Sequence, residues 1–416
     1  MTFRGYVAWR MAWLGIVLLP MSSYALTWQE ALRQSERHAP ELEEQEHALA
    51  AAKSDRVSAG ELPDPQLVTG VDNLPVQGSE AWNPNRDFMT MQRIGIAQSV
   101  TNGDKRAAAR QMADANIERT RREGSMVRFS VRRDTLIAWL KLYFVNQRKS
   151  LLDQLDAESR LQRSALEVAL STGRKGVDAD VQRVRQIQAE LSDRRDELER
   201  DERADRSSLS RWVGREAASE PVTGPLPPYL ASAGHGSPGL ADHPDLAVLR
   251  AREAEAQAAV DMARAGKRSD WGMEVDYEHR PPSFGDMVSV QFTFALPVLT
   301  QSRQDPQIAA RQQDLDRVRA KREAVARQHT EEVENLLANA ALYAREMERM
   351  DREWLPLKQE RVRTAQAGYR AGQEDLEAVL MARRDLLLAR MRRIDLEEKR
   401  SLVDAEWRYV TSEGKP

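Results

Sequence analysis

The feature that most constrains the fold is a stretch without proline between Pro84 and Pro221. Within it, residues 104–171 contain a single glycine, Gly124, among many charged residues and alanines. Because proline breaks a helix and glycine weakens one, their near absence permits a single helix across this window. At about 1.5 Å per residue such a helix is roughly 100 Å long, which predicts an elongated molecule.

Two predicted helices in the second half carry lines of residues at heptad spacing, which are apolar except at Arg393 and Arg400. On the first helix the line is Val333, Leu336, Ala340, Tyr343, Met347, Met350, Trp354 and Leu357. On the second helix it is Val379, Ala382, Leu386, Ala389, Arg393, Leu396, Arg400, Val403, Trp407 and Val410, beside a second line of Leu380, Leu387 and Ile394. A helix with two adjacent seams can pack against neighbours on both sides, as a stave does in a cylinder. We favour that arrangement over an antiparallel bundle, which needs only one broad apolar stripe.

Four short segments of the first half return in the same order in the second half. The pairs are HAPEL (38–42) with HPDL (243–246), VSAG (57–60) with ARAG (263–266), TMQRIGIAQSV (90–100) with VSVQFTFALPV (288–298), and TGRKG (172–176) with YRAG (369–372). This order predicts a tandem duplication of about 200 residues, each copy comprising a helix, two strands and a long helical hairpin with a glycine turn. The predicted organisation is a signal peptide (1–25), a first repeat (26–215), a linker rich in proline and glycine (216–243) and a second repeat (244–416).

Period-two alternation predicts two strands in the second repeat, over 271–278 and 288–296. Their shared apolar face consists of Trp271, Met273, Val275, Tyr277, Val288, Val290, Phe292, Phe294 and Leu296. Residues 67–72 and 90–100 alternate less regularly and are assigned as strands through the repeat. Since backbone groups must be paired inside a bilayer, such strands could enter a membrane only in a barrel built by several chains. A small soluble sheet packed on helices fits the same pattern, and the local sequence does not choose between them.

The composition excludes several classes of function. The 62 basic and 65 acidic residues are interspersed and give a net charge of −3, which argues against a nucleic-acid partner. No stretch of about 20 apolar residues predicts a transmembrane helix. The chain has no cysteine, and its six histidines show no ligand spacing, so neither a metal site nor a cofactor is predicted. We find no nucleotide loop, nucleophile motif or paired acid and base, so an enzyme is not predicted.

The N-terminus has the pattern of an export signal. Arg4 and Arg10 form a basic region, residues 11–21 are largely apolar, and Ser23 and Ala25 are the small residues of a cleavage site. Cleavage after Ala25 would begin the mature chain at Leu26. Because no cysteine is present, attachment of an N-terminal lipid through cysteine is excluded.

The duplicated plan resembles the TolC family of outer-membrane efflux channels. The segment GYRAGQEDLEAVLMARRDLLLAR (368–390) is similar to the family's second helical tip, and KGVDADVQRVRQIQAEL (175–191) to the first, with Asp180 and Val181 in its Asp-Val position. LTWQEAL (26–32) is similar to the family's mature start and ALPVL (295–299) to its exit from strand to helix. The resemblance covers essentially the whole mature chain.

The resemblance implies a mainly α fold with a small β part. Three chains would contribute four strands each to a 12-stranded barrel in the outer membrane of a Gram-negative bacterium, and their coiled-coil helices would form a periplasmic α-barrel. The loops at 73–87 and 279–286 would face outward, and the linker would wrap the middle of the tunnel. Implied partners are a periplasmic adaptor, an inner-membrane pump of the RND type and outer-membrane lipid.

In the resembled family the glycine turns lie at the periplasmic end, where the tunnel closes and partners dock. The residues expected to gate the tunnel or contact the adaptor are Gly173, Gly176, Asp180, Tyr369, Arg370, Gly372 and Glu374. One departure is that the first tip has Thr172 and Gly173 where the second has Gly368 and Tyr369. A tyrosine latch in both halves is therefore not expected, and a solvated loop without a gating role remains an alternative.

The compact first tip and the absent lipid cysteine resemble the heavy-metal efflux branch, the CzcC-like channels. The expected function is thus a passive duct that carries metal ions from a pump and adaptor to the outside. A channel for drugs, organic compounds or secreted peptides is the alternative. A soluble periplasmic adaptor or structural coiled-coil protein would share the signal and the heptads, but it would not need two hairpins at matching places in two repeats.

Overall fold

The computed structural model describes residues 25–171, 177–229, 243–374 and 376–410. The predicted signal peptide, Gly173, Gly176 and most of the predicted linker lie outside the described residues, as does the side chain of Asp180. In the first half the elements are α1 (Trp28–His38), α2 (Pro40–Ser58), β1 (Gln66–Asp72), β2 (Met91–Val100), α3 (Gly103–Ser171), α4 (Val177–Val213) and α5 (Arg215–Ser219). In the second they are α6 (Pro244–Ala265), β3 (Trp271–His279), β4 (Met287–Phe294), α7 (Gln304–Arg349), a π-helical turn (Met350–Trp354), α8 (Leu355–Arg370) and α9 (Leu376–Val410).

The predicted long helix and the four strands are present, with small differences at their ends. Helix α3 is unbroken over 69 residues, so it extends for about 100 Å. Strand β4 ends at Phe294, which leaves Leu296 outside the strand where the sequence placed it inside. The amide of Ala295 still donates to the carbonyl of Asp270, its partner in the β3–β4 register, and the pairing ends there.

Proline divides helices that the repeat pattern predicts as continuous. The first repeat begins with two helices instead of one, because Pro40 starts α2 and the chain bends at Ala39. In the second repeat the long helix contains the π-helical turn just before Pro356. Proline has no amide hydrogen and clashes with the carbonyl of the preceding turn, and one wider turn relieves both problems. The heptad line that runs into this turn is buried at Val333 and Ala340 but exposed at Trp354 and Leu357.

Helix α9 packs on both sides, as its two seams predict. Leu387 and Met391 of α9 pack with Leu152 of α3 and with Leu191 and Leu198 of α4. The other seam faces α7 and α8.
Its members include Val379 and Ala382 beside Ala365, and Trp407 and Val410 beside Val333 and Ala340.
Within one chain, α9 therefore contacts neighbouring helices on two sides, as its two seams predict.

The two arginines on the α9 seam are satisfied by specific partners. Arg400 is buried, donates to the carbonyl of Ala340 and lies over the ring of Tyr229. Arg393 is 2.8 Å from Asp351. Burying a charge is unfavourable unless it is paired or hydrogen-bonded, and these contacts meet that requirement.

The largest apolar core lies where α1, α3 and α4 meet the start of the described chain. Trp139 is fully buried there and donates from its indole nitrogen to the carbonyl of Leu26 at 2.9 Å. Leu26 forms a parallel bridge with Val222, so the first part of the predicted linker packs against the core. The linker also contains α5, a helix of five residues that the sequence did not predict. Among the described helices, none is long and apolar enough to cross a membrane.

Candidate functional site

The four strands form one antiparallel sheet in the order β1-β2-β3-β4. The two hairpins of the duplicated repeats are joined through β2 and β3, where Ile94 lies opposite Tyr277 and Ile96 opposite Val275. Both outer strands have one side without a further strand in the described chain. Unpaired strand edges tend to pair with other strands, so the sheet offers two edges for further pairing.

One face of this sheet is apolar and exposed in the single chain. The register places Leu67, Val71, Ile94, Ile96, Val100, Trp271, Met273, Val275, Tyr277, Val288, Val290, Phe292 and Phe294 on it. We call this set the apolar face. Exposure reaches 72% for Leu67 and 68% for Val288. Leu296, with 74% exposure, continues the apolar surface beyond the strand.

The opposite face is polar and carries a cluster of charges, which we call the polar face. Arg93 of β2 lies at its centre, 3.3 Å from a Glu274 oxygen, 3.5 Å from Asp72 and 3.9 Å from Asp276. Asp276 is only 3% exposed, and Glu278 accepts a hydrogen bond from the Ser289 hydroxyl at 2.9 Å. A sheet in water has its apolar face covered and its polar face solvated. Here the burial of the two faces is reversed.

Gly95 makes room for the charges on the polar face. A Cβ atom at this position would lie 2.2 Å from an oxygen of Asp276 and 2.6 Å from the Val275 carbonyl. No side chain fits at these distances, so Asp276 can approach β2 only across a glycine. The sequence indicated the acidic residues of β3 by their alternation, but nothing in it identified Arg93 as their partner.

Both loops between paired strands lie at the same end of the sheet. The ring of Phe88, just before β2, is 6.3 Å from that of Phe284 in the β3–β4 loop. Asp286 accepts hydrogen bonds from the Tyr277 hydroxyl and from the amide of Arg280, which fixes the second loop to the end of β3. In the first loop Asn73 and Trp82 adopt positive φ values of 55° and 63°.

The second glycine turn has a defined backbone geometry. Helix α8 ends at Arg370, and Gly372 has a φ of +69°, a conformation that residues with a Cβ rarely adopt. The carbonyl of Gly368 accepts from the amides of Gln373 and Glu374 at 2.9 and 3.2 Å. A Cβ on Gly368 would lie 2.9 Å from the side chain of Glu374, so this glycine keeps the turn tight. Tyr369, Arg370, Gly372 and Glu374 are all exposed.

The start of α4, next to the first turn, lies beside the start of α9, next to the second. Val181 and Val184 pack on Leu380, and Arg183 forms an ion pair with Glu377. The starts of α4 and α9, which follow the two predicted turns, therefore lie together at one end of the helices, while Gly173 and Gly176 are outside the described residues. Asp180 lies in the first turn of α4, on a helix that carries this contact.

A family model described as "Outer membrane efflux protein" matches residues 238–404. No curated protein matches the chain. The solved CmeC outer membrane channel of Campylobacter jejuni is 10% identical with a TM-score of 0.79, covering 93% of this chain and 86% of that one. VceC, an outer membrane protein of Vibrio cholerae, is 15% identical with a TM-score of 0.74, covering 92% of this chain and 95% of that one.

The open state of the MtrE outer membrane channel of Neisseria gonorrhoeae is also similar, at 13% identity and a TM-score of 0.74, covering 92% of this chain and 88% of that one. At such identities the likeness establishes the fold, and the family model matches most of the second repeat. Residues 238–404 match the outer membrane efflux protein model, and the chain as a whole has the fold of the TolC-like channels.

Proposed function

We propose that this chain is the outer-membrane channel component of a tripartite efflux system. The observation that carries the proposal is the sheet with an exposed apolar face, a charged polar face and two open edges. Three copies would join their edges into a 12-stranded barrel, with the apolar face toward lipid and Arg93 and its carboxylates toward a water-filled interior. Membrane barrels have this alternation of apolar-out and polar-in.

The helical layer would continue the barrel as a periplasmic tunnel. Its length of about 100 Å along α3 suits such an extension. The two tips lie at one end of the layer, and the strands join α3 at its opposite end. In the proposed orientation the tips meet a periplasmic adaptor and an inner-membrane pump of the RND type, while the Phe88–Phe284 end of the sheet faces outward. The predicted cleaved signal peptide accounts for export.

We further propose that Gly372 shapes the periplasmic turn and that Tyr369, Arg370, Glu374 and Asp180 contact the adaptor or close the tunnel. The exposure of the second-tip residues supports this role, because exposed polar groups at a helix end are available to a partner. By analogy with the second repeat, Gly173 and Gly176 are proposed to shape the first turn. The opposing hypothesis is a solvated loop without any gating role.

The proposed cargo is a heavy-metal ion, which rests on the sequence resemblance of the first tip and on the absent cysteine. Drugs, organic compounds or secreted peptides are the alternative cargo for the same architecture. The duct itself needs no catalytic group, because the pump supplies the energy and selects the substrate.

Growth of a deletion strain tests the cargo. The strain is exposed to graded zinc, cobalt, cadmium, copper and silver, and in parallel to amphiphilic drugs and bile salts. Sensitivity to metals alone, reversed by the intact gene, is expected. Sensitivity to drugs with normal metal tolerance would exclude metal export while leaving the channel in place.

Membrane fractionation and conductance test the channel itself. We expect the chain in the outer-membrane fraction after an alkaline wash, and purified trimers should conduct ions across a planar bilayer. Release of the chain by the wash would instead favour a soluble adaptor or structural protein. This result is independent of the growth assay, so the two parts of the proposal can fail separately.

A further inference from the structure

Two histidines that are far apart in sequence meet inside the helical layer. His243 immediately precedes α6 and is fully buried, while His329 lies in the middle of α7 and is 4% exposed. Their ring centroids are 4.1 Å apart. Asp245, in the first turn of α6, lies beside both rings. These three residues bring two imidazoles and one carboxylate to a single point between α6 and α7.

The distances between the three side chains match those of ligands on one ion. An Asp245 oxygen is 3.2 Å from Nε2 of His329 and 3.7 Å from Nδ1 of His243. A potential ligand atom from each residue lies within 4.8 Å of the other two. Two ligands that are each about 2.1 Å from a tetrahedral zinc ion lie about 3.4 Å from one another. The two separations from the Asp245 oxygen, 3.2 Å and 3.7 Å, lie on either side of this value.

Glu332 contacts one nitrogen of the His329 ring, in the way that a hydrogen-bonded carboxylate orients a metal-bound histidine. Its oxygen is 2.9 Å from Nδ1 of His329, so this nitrogen carries the proton and Nε2 is directed toward Asp245. Metal-binding histidines commonly donate their other ring hydrogen to a carboxylate in this way. Nε2 of His329 beside the Asp245 oxygen requires a positive charge between them, which is either a proton on the ring or a bound metal ion.

The buried nitrogens of the cluster are poorly satisfied by the protein. Nε2 of His243 and Nε2 of His329 are buried; the first has the Tyr409 backbone and the second an Asp245 oxygen as polar neighbour, but within the described part of the chain neither contact has the geometry of a full hydrogen bond. Nδ1 of His243 accepts only a long bond of 3.2 Å from the Asp245 amide, which an ion would replace.

The surrounding charges suit a divalent cation that solvent can deliver. Acidic Glu332 and Glu406 and basic Arg133 and Arg252 line the cleft at the cluster. Arg252 is paired with Glu123, and the guanidinium of Arg133 lies 4.4 Å above the ring of Tyr409. A cleft of about 450 Å³ passes Asp245, His329, Glu332 and Tyr409. An ion with its remaining water ligand could enter through this cleft.

We propose that His243, Asp245 and His329 bind one divalent transition-metal ion of the zinc type and thereby join α6 to α7. Two imidazole nitrogens with one carboxylate oxygen form a donor set typical of zinc and its first-row neighbours. The sequence predicted no metal site because the two histidines share no local spacing, and only the fold brings them together. The site lies in the helix layer and does not depend on what the channel transports.

The test is zinc binding by the purified full-length protein without a polyhistidine tag. After chelator treatment and dialysis, Zn²⁺ is titrated against a competing chromophoric chelator. One ion per chain is expected for the unaltered protein. His329→Gln should abolish this binding, and Glu332→Gln, which keeps all three ligands, should weaken it about 10- to 100-fold. His47→Gln, at an exposed helix surface, is the matched control and should leave binding unchanged.

Equal affinity in the unaltered protein and in folded His329→Gln overturns the proposal, and so does an absence of stoichiometric zinc in the unaltered protein. In that case a proton on His329, held between Asp245 and Glu332, is the occupant. Should His329→Gln fail to fold, the visible spectrum of Co²⁺ bound to the unaltered protein decides. Intense tetrahedral bands support the site, whereas the weak spectrum of octahedral, hydrated Co²⁺ overturns it.

Discussion

The sheet and the helices bury opposite kinds of side chain. The helices bury apolar residues, whereas the sheet exposes apolar residues and buries charged ones. Around Trp139 the helices bury apolar side chains completely and place their ion pairs at the periphery. In the sheet Val288 is 68% exposed, while Asp276 on the other face is 3% exposed. The same chain therefore contains one region organised for water and one whose apolar face requires another apolar phase or partner. This difference is the physical basis of the proposed membrane channel.

The largest expected effect in the water-facing region comes from Trp139→Ala. It removes a fully buried indole and its hydrogen bond to Leu26, which should lower the free energy of unfolding by about 3–5 kcal/mol. Guanidinium unfolding in detergent, followed by helical circular dichroism, measures it. Trp82→Ala is the control, because Trp82 is 71% exposed in a loop and its loss should change stability by less than about 0.5 kcal/mol. Equal shifts in the two variants would contradict the assignment of the core.

The apolar face is tested by a charge placed on it. Val275→Arg lies in the middle of β3, between Ile96 and Val290. If this face contacts lipid, the substitution should destabilise the inserted sheet by about 2–4 kcal/mol and reduce the yield in the outer membrane. The control is Gln291→Arg on the polar face, opposite Glu274, which should insert normally. If both variants insert equally well, the faces do not differ in their surroundings, and the comparison between sheet and helices no longer supports a barrel.

A substitution in the second glycine turn tests whether the geometry of the turn depends on backbone conformation or on side-chain packing. At Gly372 a Cβ would meet no atom within 4 Å, yet φ is +69°, so Gly372→Ala should cost about 1 kcal/mol from the backbone alone. The amides of Gln373 and Glu374 should then exchange roughly fivefold faster with deuterated water. Gly103→Ala also meets open space, but without a positive φ, and it should leave exchange at the tip unchanged. Unchanged exchange in Gly372→Ala would show that the turn tolerates the strain.

The sequence predicted the elements whose signals are local or repeated. Helix α3 followed from the missing prolines, the two sides of α9 from its parallel seams, and β3 and β4 from strict alternation. β1 and β2 could be assigned only through the duplication, because the polar residues Thr69, Gln92 and Gln98 interrupt their apolar face.

Contacts between distant segments were beyond the sequence pattern. Arg93 meets Glu274 only after two hairpins pair, and His243 meets His329 only after α6 packs on α7. The π-helical turn before Pro356 was also missed, because a heptad line assumes a constant helical repeat while proline locally changes it. The two missed contacts share one cause, which is that side-chain geometry across elements depends on the packed fold and not on residue spacing.

The smallest effect concerns an ion pair between helices at the edge of the water-facing region. Asp156 of α3 accepts from Arg195 of α4 at 2.8 Å and from Arg160 at 2.7 Å. Burial alone would raise the pKa of Asp156, but the hydrogen bonds from these arginines outweigh it and hold the pKa below its usual value. Because the folded pKa is lower than that of the unfolded chain, about 3.9, the pair stabilises the fold above that pH. Its contribution disappears as the pH falls through the folded pKa.

Asp156→Asn should therefore lower stability at neutral pH by less than about 1 kcal/mol and make the acid limb of the stability curve shallower. Thermal unfolding in detergent at a series of pH values measures both effects. The matched control is Asp196→Asn, which removes an exposed carboxylate from the same helix as Arg195. If the two variants show the same acid limb, the arginines do not hold Asp156 in its charged form. The contact between α3 and α4 then depends on its apolar seam around Leu152 and Leu191 and on the ion pair of Lys149 with Glu202.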